Sequence, residues 1–173
     1  MTNELTNVNM ETGEIISTGD QVVQDTSDYT IIKKENGKFE KQMKFKEYMS
    51  RHAQTDEEKI ELYKVFNDSD SGLVNRLSYA VGKTLNIKDV FIRPYESFDE
   101  DSGNVIQGVI TTIQDTDGKY YATSSKSVYY SLKNIFQSFG APHMENYKPV
   151  QVEVTEMKQQ NGMQINIKLV GLA

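Results

Sequence analysis

The sequence predicts a mainly β fold with helices (α+β), in which a small barrel of five strands follows a short helical region. Apolar residues alternate in "VQVEVTEMKQ" (150–159) and "MQINIKLV" (163–170), as expected of strands with one buried face. β-branched residues are frequent in "KTLNIKDVFIRPYESF" (83–98) and "VIQGVITTIQ" (105–114), which favours two further strands. Between these two pairs of strands the apolar spacing becomes helical, so the sequence predicts one helix there.

The first predicted strand is long and bent. Leu85 and Ile87 alternate, the phase slips near Asp89, and Val90 and Ile92 resume the alternation one residue later. Such a slip is typical of a β-bulge, which bends a strand around a corner of a barrel.

The remaining elements complete the order of the barrel. "KYYATS" (119–124) predicts a short third strand, and residues 127–139 follow helical spacing that Gly140 and Pro142 end. The "NG" dipeptide at 161–162 predicts the hairpin turn between the last two strands. The resulting order, β-β-β-α-β-β, is that of the OB-fold, a five-stranded Greek-key barrel. A β-grasp or another α+β roll with the same number of strands is the alternative.

Three segments are predicted along the chain. Residues 1–28 form an acidic flexible tail, residues 29–82 a hairpin and helical extension, and residues 83–173 the OB-fold domain. Within the extension a hairpin turns at Asn36–Gly37, and the capping box "TDEE" starts a helix at Thr55. The apolar stripes of three predicted helices are Phe45, Tyr48, Met49 and His52, then Ile60, Tyr63 and Phe66, and finally Leu73, Leu77 and Val81.

Composition and charge exclude several classes of protein. The 173 residues include no cysteine, which excludes disulfides, thiolate nucleophiles and cysteine-based zinc sites. Residues 1–28 hold six acidic and no basic residues, so they carry the whole net charge of −6, and the rest of the chain balances 19 acidic against 19 basic residues. No apolar run approaches the roughly 20 residues of a membrane-spanning helix, and the start lacks the pattern of a secretory signal. We therefore expect a cytoplasmic protein with no membrane partner.

The sequence contains no enzyme signature. "VGKT" (81–84) resembles the end of a phosphate-binding loop, but Leu77 stands where that motif needs a glycine. "DSDSG" (68–72) resembles the start of a calcium loop, but Tyr79 occupies the position of the last calcium ligand. The two histidines match no metal-site spacing. We therefore expect a protein that is not an enzyme and that has no metal site and no small-molecule cofactor.

Aromatic and basic residues interleave on the predicted strands. Phe91, Arg93 and Tyr95 lie on one face of the first strand, and Lys119 and Tyr121 share a face of the third. Binding of single-stranded nucleic acid without sequence preference needs this pairing, because cations contact phosphates and exposed rings stack on bases. The complete predicted surface is Phe91, Arg93, Tyr95, Lys119, Tyr121, Lys126, Lys88 and Tyr130. The alternative for each ring is packing in the core or at the edge of the sheet.

Four motifs between residues 83 and 169 resemble a known family. They are the acidic turn at Asp99–Ser102, the strand "GVIT" at Gly108–Thr111, the hairpin "DTDGKYYATSS" at Asp115–Ser125 and the helix ending in "FG" at Ser127–Gly140. In these motifs the chain resembles the single-stranded DNA-binding proteins encoded by phages and conjugative plasmids of Gram-positive bacteria. The resemblance implies an OB-fold that binds single-stranded DNA.

Two functions follow from these observations. The first is binding and protection of single-stranded DNA without sequence preference, during replication or transfer of a phage or plasmid, with single-stranded DNA as partner and self-association along it. The alternative is a protein-interaction module of a mobile element that blocks a host factor without binding DNA, since an acidic tail can mimic nucleic acid.

Overall fold

The computed structural model describes four parts of the chain: residues 19–67, 71–99, 104–159 and 162–173. The chain divides into two compact units, the first ending at Phe45 and the second comprising Lys46–Ala173. Residues 46–82, which the sequence assigns to an extension, therefore belong to the same unit as the predicted barrel strands.

The described residues contain ten strands, two α-helices and a 3-10 turn at Leu77–Ala80. The helices are α1 Asp56–Asn67 and α2 Lys126–Phe139. The strands are β1 Gln21–Asp25, β2 Tyr29–Lys33, β3 Phe39–Met43, β4 Tyr48–Met49, β5 Val74–Arg76, β6 Thr84–Asp99, β7 Asn104–Asp115, β8 Tyr120–Thr123, β9 Val150–Gln159 and β10 Gly162–Leu172.

The first unit is a three-stranded antiparallel sheet in the order β1-β2-β3. The turn between β2 and β3 contains Asn36 and Gly37, where Gly37 has a φ of +77° that favours glycine. This confirms the predicted hairpin. The predicted tail over 1–28 falls largely outside the described residues, but its segment Gln21–Asp25 forms β1, paired with β2.

The second unit contains a seven-stranded sheet in the order β10-β9-β6-β7-β8-β5, with β4 also paired to β6. Along the chain, β6, β7, β8, α2, β9 and β10 confirm the predicted OB-like order β-β-β-α-β-β. The sheet curls into a half-barrel, and among the described residues no ladder joins β8 to β10. Ser125, just before α2, links that helix to β10 by donating its hydroxyl to the carbonyl oxygen of Ile165 at 2.5 Å.

The long strand β6 connects the two halves of this sheet. Residues Thr84–Ile87 pair with β9, whereas Ile87–Asp99 pair with β7. The register with β7 shifts between Ile87 and Asp89, which leaves Lys88 as the extra residue of a bulge and confirms the predicted slip. The bend at this bulge lets one strand pair with a different neighbour on each side of it.

One face of the sheet forms the core of the barrel. Strand pairing places Val90 of β6, Ile113 of β7 and Tyr121 of β8 in one row on this face, and all three are buried. Further buried residues come from α2 and β9, namely Val128, Tyr129, Leu132, Ile135, Val150, Val152 and Val154. The predicted helix and the alternation of the fourth barrel strand are therefore confirmed.

The alternation predicted for the last strand is wrong at its two ends. Ile167 is buried as predicted, but Met163 lies next to the hairpin turn and is 59% exposed. Leu169 is also exposed, because the register with β9 shifts just after it. Between these two residues, Ile165 is half-buried and Ile167 is buried.

The opposite face of the sheet carries a second apolar cluster, beneath α1. Leu62 and Val65 of α1 pack with Phe91 of β6 and Tyr120 of β8. The helix starts at the predicted capping box. The backbone N–H of Glu58 donates to the Thr55 hydroxyl at 3.2 Å, and the backbone N–H of Thr55 donates to Glu58 Oε2 at 3.3 Å. The predicted apolar stripe of this helix is wrong at Ile60 and Tyr63, which are exposed, whereas Phe66 is half-buried and packs against the cluster.

The other two predicted helices of the extension are wrong. Tyr48 and Met49 form β4, which pairs with Ile92 and Phe91 of β6, instead of a helix through Phe45–His52. The segment Leu73–Val81 forms β5 and a single 3-10 turn. In both places strand pairing with the barrel overrides an apolar spacing that also fits a helix.

A polar network ties α1 and the segment before it to the barrel. The Ser50 hydroxyl donates to Asp89 Oδ1 at 2.7 Å, and Arg51 Nε donates to Asp89 Oδ2 at 3.1 Å. Arg51 Nη2 also donates to the Tyr120 hydroxyl at 3.0 Å, and that hydroxyl donates to Glu61 Oε1 at 2.8 Å. Because buried polar groups are costly without partners, this network specifies where α1 rests on the sheet.

The network predicts a loss of stability at high pH. Burial, followed by the hydrogen bond to Glu61, raises the pKa of Tyr120 to about 12. Since the folded pKa lies above the ordinary value of 10.0, the contribution of Tyr120 is complete below pH 10 and is lost as the pH rises toward 12. Urea unfolding at pH 8, 10, 11 and 12 should show the free energy of unfolding declining less steeply for Tyr120→Phe than for the wild type. Tyr63→Phe, an exposed tyrosine on α1, should decline as the wild type does; equal slopes for all three proteins would contradict the prediction.

Candidate nucleic-acid interface

β6 and β7 continue beyond α1 on the face that this helix covers. Alternation along β6 puts Arg93 and Tyr95 on the same face as Phe91, and the ladder puts Ile110 and Gly108 of β7 directly opposite them. Phe91 is fully buried, whereas Arg93 and Ile110 are half-buried and Tyr95 is 39% exposed. Solvent therefore reaches this face of the sheet from Arg93 onward.

A second arginine extends the same face along β5. Arg76 pairs with Ala122, Ala122 pairs with Thr112, and Thr112 pairs with Phe91. Paired residues on neighbouring strands share a face, so exposed Arg76 lies on the face of Arg93, in the row of Phe91 and about 15 Å from Phe91 across three strand spacings. We call the residues Arg76, Arg93, Tyr95, Gly108 and Ile110 the outer strand surface.

The guanidinium of Arg93 is held in place from one side. Its Nη2 donates to the carbonyl oxygen of Phe66 at 3.0 Å, and its Cζ lies 4.6 Å from the centre of the Phe66 ring. Partial burial lowers the pKa of Arg93 below its ordinary value, but an arginine stays protonated at neutral pH. Because a guanidinium carries five N–H donors, the bond to Phe66 leaves donors for a phosphate.

The ring of Tyr95 lies across Gly108 on the neighbouring strand. Gly108 is the residue directly opposite Tyr95 in the ladder, and it is buried beneath the ring. The ring is therefore supported by the sheet on one side and reached by solvent on another. An aromatic ring in this position can stack on a base, since every base presents a flat face.

The burial of two predicted site residues corrects their assignment to an exposed surface. Phe91 is fully buried because α1 covers this part of the outer face, and its ring meets Phe66 edge-on with centroids 5.3 Å apart. Tyr121 is buried because its face of β8 points into the barrel, in the row with Ile113. Neither ring can stack on a base without unfolding part of the core.

The structure distributes the other predicted residues over several places. Lys119 is exposed in the turn before β8, where its ammonium pairs with Asp117, and this hydrogen bond raises the pKa of Lys119. Lys88 is exposed at the bulge of β6, and Lys126 is exposed at the start of α2. Tyr130 is half-buried on α2, with its ring edge-on to Tyr129 at 5.2 Å. Arg93 and Tyr95 are thus the two predicted residues that the structure brings together on an accessible face.

The surface predicted from the sequence does not include two exposed residues of the segment around β5, Arg76 and Tyr79. Tyr79 follows Arg76 by three residues, in the 3-10 turn after β5, and is 68% exposed. The segment "NRLSYA" (75–80) does carry a signal, because it interleaves a basic and an aromatic residue. Leu77 and its neighbours fit a helical spacing, however, and β5 has only three residues, so nothing local predicts that Arg76 joins the barrel sheet.

OB-like barrels that carry basic and aromatic residues on exposed strands are typical of proteins that bind oligonucleotides. The family model described as phage single-stranded DNA-binding protein, of the phi29 type, matches residues 42–168. The single-stranded DNA-binding protein of Bacillus phage GA-1 is 35% identical over 173 residues, which cover 99% of this chain and 97% of that protein. No solved structure matches the chain significantly. The chain belongs to the family of phage single-stranded DNA-binding proteins.

This family assignment confirms the central prediction from the sequence, a phage protein that binds single-stranded DNA and is not an enzyme. A plasmid origin, a role in DNA transfer and a Gram-positive host stay predictions. Neither of the two described helices is long and apolar enough to span a membrane.

Proposed function

We propose that the outer strand surface is where this protein binds single-stranded DNA during phage replication, without preference for sequence. The observation that carries the proposal is the exposed ring of Tyr95 beside the guanidinium of Arg93, on a face of the sheet that α1 leaves uncovered. Arg76 on β5 supplies a second cation on the same face of the sheet.

The chemistry of these side chains favours single strands over duplex. A base can stack on Tyr95 only when it is free of its partner strand, because the bases of a duplex stack on one another. The arginines neutralise phosphates, which every sequence shares, so their contacts carry no sequence information. No covalent step is involved, and the protein's contribution is to hold the strand extended and shielded.

The first test compares single-stranded and duplex DNA. Labelled oligo-dT should bind at least tenfold more tightly than duplex of equal length, because stacking is worth about 1–3 kcal/mol per base and is absent for duplex. Added salt should weaken the binding, since each phosphate contact releases counterions. Tyrosine fluorescence reports the titration directly, because the chain has ten tyrosines and no tryptophan. Equal affinity for both forms, or no binding at low salt, would contradict the proposal.

Three finer statements belong to the same proposal. The protein acts in the cytoplasm of the host cell, neighbouring copies associate along the strand, and no small-molecule cofactor takes part. The alternative function, a module that blocks a host factor without binding DNA, has less support, because the family match favours DNA as the partner. A nuclease-resistant complex with a host protein would favour that alternative.

A further inference from the structure

We propose that Gly108 is a positioning residue, whose missing side chain seats the ring of Tyr95 for stacking on a base. This inference rests on the proposed function, because it assigns a role to Gly108 in the same surface. Gly108 is the fifth residue of β7 and lies directly opposite Tyr95 of β6.

The closeness of the ring leaves no room for a side chain at this position. A Cβ added to Gly108 would lie 2.5 Å from the hydroxyl oxygen of Tyr95 and 2.6 Å from its Cε1, well inside van der Waals contact. It would also collide with Cζ of the same ring. The outer half of the Tyr95 ring therefore occupies the space that any other residue at position 108 would fill.

The backbone does not itself require a glycine here. Seven described glycines have a positive φ, and Gly108 is not among them, so its conformation suits any L-residue. A glycine inside a strand lowers strand stability, and it marks a bend, a bulge or a close approach of another group. The ladder between β6 and β7 is regular through this position, so the close approach is that of the Tyr95 ring.

Seating the ring on the strand has a consequence for binding. A long side chain on an open strand surface samples several rotamers, and a ligand that needs one of them must overcome that freedom. With the ring resting on Gly108, one side of it is already desolvated and the other is presented to solvent. The site is thereby organised before DNA arrives, and a base can add to the exposed side.

The test is a double-mutant cycle of Gly108→Ala and Tyr95→Ala. The new methyl group meets the far end of a flexible side chain, so the ring should swing away and the fold should tolerate the change. Gly108→Ala should weaken binding of oligo-dT about tenfold, as expected for one lost stacking contact. Its salt dependence and its urea midpoint should match those of the wild type. In the Tyr95→Ala background, Gly108→Ala should have no further effect, because no ring is left to displace.

Gln107→Ala is the matched control, because Gln107 neighbours Gly108 in β7 but faces the other side and bonds to Glu96. It should bind oligo-dT as the wild type does. Wild-type affinity for Gly108→Ala, or a further loss in the Tyr95→Ala background, would overturn the positioning role while leaving the proposed function intact. Failure of the wild type to prefer oligo-dT over duplex would overturn the proposed function itself. If Gly108→Ala unfolds while the double variant folds, the clash with the ring is supported directly.

Discussion

Replacing Phe91 with alanine should lower the free energy of unfolding by about 3–5 kcal/mol, the range for removing a large buried aromatic side chain. The Phe91 ring has no exposure to solvent and packs with Leu62 and Val65 of α1 and with Tyr120. Its removal leaves a cavity between α1 and the sheet. This cavity cannot collapse, because backbone hydrogen bonds hold β6 to β4 on one side and to β7 on the other. Urea unfolding followed by circular dichroism measures the loss.

Phe98→Ala is the matched control, because it removes the same side chain from the same strand at a position that is 65% exposed. Its free energy of unfolding should stay within about 0.5 kcal/mol of the wild type. The comparison separates the two roles considered for Phe91. If Phe91→Ala is as stable as Phe98→Ala but binds oligo-dT more weakly, Phe91 contacts DNA and the structural assignment to the core is wrong.

The case of Phe91 shows what periodicity can and cannot predict. Alternation along β6 correctly places Phe91 with Arg93 and Tyr95 and opposite Val90, because successive side chains of a strand point to opposite faces. It cannot tell which face another element covers. Here the barrel core buries Val90 and α1 buries Phe91. Both faces of β6 are therefore apolar at this point, and alternation of apolar and polar residues no longer indicates which face is exposed.

Elements with a strong local signal could be predicted, and elements that depend on distant partners could not. The bulge near Asp89, the capping box at Thr55 and the stop of α2 at Gly140 are all set by neighbouring residues in the sequence. By contrast, β4 exists only because it pairs with Phe91 and Ile92, more than 40 residues further along the chain. Its apolar spacing fits a helix equally well, so the sequence alone predicts the wrong element.

The same dependence on distant partners shapes the binding surface. α1 rests on the Phe91 end of the outer face, and the network of Ser50, Arg51 and Asp89 holds the segment before the helix at that end. The surface beyond it stays open. Arg93 lies at the boundary between the part of the sheet that α1 covers and the part that it leaves open, and its guanidinium stacks on Phe66 of that helix. The arginine therefore belongs to the packing of α1 and to the open surface at once.

Arg93→Ala and Tyr95→Ala should each weaken binding of oligo-dT about tenfold, through different physical contributions. Arg93 contacts a phosphate in the proposed complex, so its loss should reduce the slope of log affinity against log salt concentration by about 0.7, the value for one phosphate of a single strand. Tyr95 stacks on a base and releases no counterion, so its loss should leave that slope unchanged. Titrations at four salt concentrations between 50 and 400 mM, chosen to span the screening range, measure both quantities.

Two further variants sharpen this comparison. Arg93→Lys keeps the charge but loses the planar group that stacks on Phe66, so the salt slope should stay at the wild-type value even if affinity falls. Lys119→Ala removes a lysine that already pairs with Asp117 in an exposed turn, and it should change neither affinity nor slope. Equal changes of the salt slope for Arg93→Ala and Tyr95→Ala would contradict the assignment of a phosphate contact to Arg93 and a base contact to Tyr95. If Lys119→Ala weakens binding of oligo-dT more than Arg93→Ala does, the DNA lies on the turn before β8 rather than on the outer strand surface.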